Sequence, residues 1–240
     1  MFVSILCKIA VPIFFMITGA LLLKKEEPLR MLFVKHVLIF SLILLVVSLI
    51  YYIVLCDGWS VGDFIRRVYS RNITTGLWYL YSYLGILLIL PFLRKLVMVL
   101  GEQDYIYLFA GRILLVGLFP IVAFLIGKGN LALNRDFSAV IFTADNLFYV
   151  LLGYYCEHLI NTDSPTKKDW IALGSASLLA FGLTCFVTNI RLGGIGAEDG
   201  NALTSFFPAL IAIPCFMVYL LIKNFVPRGL LTGLSTSSWL

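Results

Sequence analysis

Leu32–Cys56 reads LFVKHVLIFSLILLVVSLIYYIVLC, and its only acidic or basic side chains, Lys35 and His36, lie near its start. At ~1.5 Å rise per residue, about 20 apolar residues cross a hydrocarbon core of roughly 30 Å. The stretch is longer than that, lacks Gly and Pro, and shows no alternation of apolar and polar residues. It predicts a membrane-spanning helix rather than a strand or the core helix of a soluble domain.

Working outward, six further runs fit the same description: Phe2–Leu23, Leu77–Leu93, Tyr105–Ile126, Phe137–Cys156, Trp170–Thr188 and Leu203–Ile222. The expected fold is therefore an all-α polytopic bundle with about seven spans, which occupies most of the chain and leaves short connections. Composition agrees. The chain is 61% hydrophobic and 13% charged, with a mean hydropathy of +0.99, against roughly 25% charged in soluble domains. A globule of this size needs a polar skin that these residues cannot supply.

The net charge of +5 is spread in short clusters between apolar runs. That suits topology signals and anionic headgroups and argues against a nucleic-acid partner. Lys24, Lys25, Arg30, Lys35, Arg94, Lys95, Lys167, Lys168, Lys223 and Arg228 fall in odd-numbered connections, and a smaller set falls in even-numbered ones. The bias predicts a cytoplasmic side for the odd connections. The five cysteines lie in or beside apolar runs without CxxC spacing, so they read as buried small hydrophobes, not as a metal site or disulfide framework.

Ionisable residues within spans are functional candidates, because their burial is costly. Lys8, Arg112 and Asp145 meet that condition. Counted along their helices from Tyr105 and Phe137, Arg112 lies about 10 Å and Asp145 about 12 Å in from opposite faces. The pair can meet if the long arginine reaches across. His36 and His158 read as boundary residues. No HExxH, Walker loop or GxGxxG occurs. Ala172, Ala176, Ala180, Thr184 and Thr188 predict a small-residue packing stripe on the sixth span, and Pro208 with Pro214 predicts a bend in the seventh.

Two stretches go beyond generic membrane sequence: Ala10–Leu22, AVPIFFMITGALL, and Gly76–Leu93, GLWYLYSYLGILLILPFL. The first resembles the "VPlFFmiSGyll" segment, and the second the "lWYL…yLgl…llPll" segment, of the membrane-bound acyltransferase family 3. That family includes O-acetyltransferases of surface polysaccharides and the membrane portions of peptidoglycan acetyltransferases and serine racemases. The resemblance covers most of the chain, as one domain over residues 1–240. It implies a multi-pass cell-membrane protein that moves an acyl group, commonly acetyl from acetyl-CoA or another acyl-CoA, to a hydroxyl of an envelope glycan. No metal is implied, and homo-oligomers are compatible with it.

On this resemblance Lys35, His36 and Arg112 line the donor side, Trp78 and Tyr79 flank the acceptor, and Asp145 orients or neutralises Arg112. His36, Arg112 and Asp145 are the catalytic candidates. Three departures stand out. The family's His-bearing first span would precede Met1, its Arg-x-x-Arg pair is replaced by Lys35, His36 and Ile39, and Leu234–Leu240 resembles the lead-in to a last span. These departures predict a chain truncated at both ends. Two other readings stay open, a transport or translocation module for an amino acid or acyl group, and a catalytically inactive remnant.

Overall fold

The computed structural model describes residues 10–25, 27–55, 58, 60–70, 73–119, 122, 126, 144–159, 166–194 and 208–225. Lys8 lies outside them. Among the described residues there are helices and no strands. The helices are α1 (Ala10–Leu22), α2 (Leu29–Leu55), α3 (Val61–Ser70) and α4 (Trp78–Val99), then α5 (Glu102–Arg112, continued by a π-helical turn Ile113–Leu118), α6 (Asp145–His158), α7 (Lys167–Gly194) and α8 (Pro208–Phe225). The chain divides into two compact units. One comprises Met1–Leu23 and Val99–Leu240, the other Lys24–Met98.

Of the seven expected spans, α2 and α4 are long and apolar enough to cross a bilayer among the described residues. Both form for the same reason, since in hydrocarbon each backbone N–H must find a carbonyl in its own segment. Helix α2 runs through 27 residues. Over Ile39–Leu55 its buried side is the narrow line Leu44, Ser48 and Tyr52, while Leu42, Val46, Ile50, Ile53 and Val54 are exposed. A continuous apolar face of that length is what lipid covers. Helix α4 carries Pro91 within it. It follows a 3₁₀ turn, Thr75–Leu77, whose N-cap Thr74 accepts a hydrogen bond from the Gly76 N–H at 3.1 Å. Phe40 of α2 meets Tyr83 of α4 edge-on, with ring centroids 4.7 Å apart.

Helix α3 has no counterpart among the expected spans. Its polar side holds it in place. The Tyr52 hydroxyl donates to Asp63 at 3.1 Å, Arg67 Nε donates to the same carboxylate oxygen at 2.7 Å, and the Tyr81 hydroxyl donates to the Val68 carbonyl at 3.0 Å. Desolvation alone would raise the Asp63 carboxyl, but the Tyr52 and Arg67 bonds hold it below the usual range.

In the other unit, α1 lies across α6, with α8 packed on both and α7 packed on α8. The α1–α6 crossing is made by glycines. A Cβ on Gly19 would overlap the Val150 carbonyl, and one on Gly153 would overlap the Met16 carbonyl. Backbones therefore touch, and Phe15, Met16, Phe148, Val150 and Leu151 close around the contact at 1% exposure or less. Thr18 satisfies its hydroxyl on the Phe14 carbonyl at 2.9 Å, so the polar residue beside Gly19 costs little in the interface.

Three expectations change here. Helix α6 begins at Asp145, preceded by extended Ala144, so the depth counted along a helix from Phe137 does not apply. Pro208 is the first residue of α8, where its missing N–H is no loss, which leaves only Pro214 inside the helix. On α7, Ala180 of the expected stripe is buried together with Ser177, whereas Ala172 and Ala176 are exposed; the side chains of Thr184 and Thr188 lie outside the described residues.

Candidate functional site

The cationic candidates adjoin rare backbone. Phe33–Leu38, which contains Lys35 and His36, is π-helical, and so is Ile113–Leu118, which follows Arg112 directly. A π turn adds one residue to the helical repeat and so turns the following side chains by about 100°; such turns recur at functional sites.

In the Lys24–Met98 unit, His36 belongs to a charge cluster centred on Glu27. The Glu27 side chain is 8% exposed. Its Oε1 accepts from Lys25 Nζ at 2.7 Å, while its Oε2 lies 3.5 Å from His36 Nε2 and 3.6 Å from Arg94. Burial works to raise the Glu27 carboxyl, but the Lys25 bond and the charges of Lys25, His36 and Arg94 outweigh it and hold the group below its ordinary value. Arg94 is itself nearly buried. Lys35, on the same π turn, is half-buried and makes no ion pair among the described residues.

In the other unit, Arg112 and Asp145 form the pair that their sequence positions suggested. Arg112 is fully buried, with its guanidinium carbon 4.8 Å from the Phe148 ring centroid. Asp145 is the first residue of α6, where the positive end of the helix dipole favours a carboxylate. Tyr105, Phe109 and Tyr155 wall the same region with ring centroids 5.3–5.8 Å apart. A charge so enclosed, with its carboxylate and an aromatic face as neighbours, is built to stay in place.

The other candidates resolve simply. His158 Nε2 lies 3.1 Å from the Ala20 carbonyl and its ring packs on Tyr154, so it ties α6 to the end of α1. Glu157 accepts from the Tyr219 hydroxyl at 3.2 Å and ties α6 to α8. Trp78 opens α4 at 44% exposure, and Tyr79 stacks on Tyr83. Among the described residues no group of His, Cys, Asp and Glu could hold a metal ion.

The sequence marks Lys25 and Arg94 only as topology charges and does not single out Glu27: they follow the first and third apolar runs, and nothing in their spacing shows that they converge.

A family model described as an acyltransferase domain, Acyl_transf_3, matches residues 1–239. No curated protein and no solved structure matches the chain.

Proposed function

Because the chain belongs to acyltransferase family 3, a family of membrane proteins, we propose that it is a membrane-type acyltransferase whose donor is an acyl-coenzyme A, commonly the acetyl thioester, and whose acceptor is a hydroxyl of an envelope glycan at the cell membrane. In that reaction the hydroxyl oxygen attacks the thioester carbonyl, the carbon–sulfur bond breaks, an ester forms, and the hydroxyl proton leaves with the thiol.

The observation that carries the donor assignment is the cluster of Lys25, His36 and Arg94. It presents three basic side chains to one carboxylate, and coenzyme A is a polyanion. A guanidinium offers a planar fork for phosphate oxygens and an ammonium offers a compact charge. His36 contributes as a cation when its imidazole is protonated. The half-exposed Trp78 at the start of α4 supplies a flat apolar face of the kind on which a sugar ring can rest, with a polar N–H at its edge. In this reading Arg112, fully buried and paired with Asp145, ties helix α5 to α6, and the donor phosphates go to the Glu27 cluster.

The test is acetyl-CoA binding to the chain in lipid nanodiscs, followed by transfer of radiolabelled acetyl to a hydroxyl acceptor. His36→Ala is expected to weaken acetyl-CoA binding about tenfold, the scale of one lost charge-assisted contact. Unchanged binding would remove this cluster from the donor site. Acetyl-CoA-independent uptake of an amino acid into proteoliposomes would favour a translocation module instead.

A further inference from the structure

Among the described residues the Glu27 carboxylate is shared by three basic side chains, Lys25, His36 and Arg94. The carboxylate is unevenly seated. Its Oε1 is bonded firmly to Lys25, but its Oε2 is buried, faces two basic side chains at 3.5 and 3.6 Å, and has no hydrogen-bond partner among the described residues. The arrangement holds that oxygen by electrostatic attraction and not by directed bonds.

The groups also differ in what carries them. His36 is fixed in the π turn of α2 and Arg94 lies within α4. Glu27 lies between α1 and α2 on backbone that is neither helix nor strand, next to extended Pro28. Two of the three basic residues are carried by helices, while the anion is carried by a connection.

We propose that Glu27 is a resident anion occupying the place that a phosphate group of the acyl donor takes, so that donor binding displaces its carboxylate and Glu27 sets donor affinity. The proposal rests on the donor reading above and adds a competitor built into the chain. A diphosphate carries more charge and more acceptor oxygens than one carboxylate, so it matches three cations better. It can also bond the two that Glu27 Oε2 only faces. Glu27 would then hold the cluster closed between turnovers and discriminate against weakly charged anions.

The experiment measures coenzyme A binding in nanodiscs for the parent chain, Glu27→Gln and Arg94→Gln. Glu27→Gln is expected to bind about tenfold tighter and Arg94→Gln about tenfold weaker, the scale of one removed charge in a partly screened site. If Glu27→Gln binds equally or more weakly while Arg94→Gln is weakened, Glu27 organises the cluster and the inference fails, although the donor reading stands. If neither changes affinity, both fall. Should Glu27→Gln not fold, Glu27→Asp, which draws the carboxylate back by one methylene, is expected to bind more tightly than the parent. Equal or weaker binding there also overturns the proposal.

A lipid phosphate could use the same cations, so the titration is run with and without phosphatidylglycerol. A Glu27→Gln gain of equal size in both assigns the seat to the soluble donor. A gain abolished by the anionic lipid assigns the seat to a headgroup and overturns the donor assignment.

Discussion

The two charge clusters use similar side chains to opposite ends. Arg112 and Asp145 are a matched pair, one cation to one carboxylate, with the cation fully buried and Phe148 over its face. Around Glu27 there are three basic groups for one carboxylate, the contacts to His36 and Arg94 are loose, and the anion lies outside any helix. The buried guanidinium makes the first a joint between α5 and α6; on the proposed function, the looser contacts of the second make it the cluster that an external anion enters.

The contrast is broken most severely at the fixed joint. Asp145→Ala takes the half-exposed carboxylate away from the buried Arg112 guanidinium, and denaturant unfolding in detergent should show a loss of about 2–3 kcal/mol. A loss under about 1 kcal/mol would mean that Arg112 reaches water or another anion. Next comes the glycine crossing in the same unit. Gly153→Ala drives a methyl into the Met16 carbonyl, and forcing α1 and α6 apart should cost about 1–3 kcal/mol by the same measurement.

Acidification addresses the looser cluster. The folded-state pKa of Glu27 lies below its ordinary 4.5, so its stabilising contribution is complete above that value and is lost as pH falls through the lowered one. A pH series of thermal unfolding should show an acid limb that Glu27→Gln flattens; an unaltered limb would show that Glu27 takes no part in it. The smallest expected effect is at Tyr52→Phe, which removes the hydroxyl bonded to Asp63. Limited proteolysis should cut faster around α3 without a change in the α1–α6 unit, and equal cutting rates would mean that Arg67 alone suffices to hold the helix.

The all-helical class and two of the seven expected spans were legible, because long apolar segments declare themselves by length. Leu32–Cys56 and Leu77–Leu93 predicted α2 and α4 to within a few residues at most ends. The family resemblance rested on Ala10–Leu22, and the structure supplies a physical reason for part of that motif: Gly19 is where α1 touches the α6 backbone. The Arg112–Asp145 pair was legible because two isolated charges in apolar runs have few other partners.

Other features were hidden for identifiable reasons. Helix α3 is short and its apolar residues alternate with Arg66 and Arg67, so it read as a connection. The start of α6 at Asp145 depended on a local break at Ala144 within an apolar run. The convergence of Lys25, Glu27, His36 and Arg94 is a tertiary fact about three chain segments, and charges at span ends carry no label that separates a topology signal from a binding group.

The division of labour between the clusters is tested most directly by acetyl-CoA titration of two chains in nanodiscs. One carries Arg94→Gln. The other carries Arg112→Met with Asp145→Leu, which removes the buried cation and its half-exposed carboxylate together. The account predicts binding about tenfold weaker for Arg94→Gln and unchanged for the double replacement. Parental affinity in Arg94→Gln, together with lost affinity in a folded Arg112→Met, Asp145→Leu chain, would contradict it and return Arg112 to the donor site.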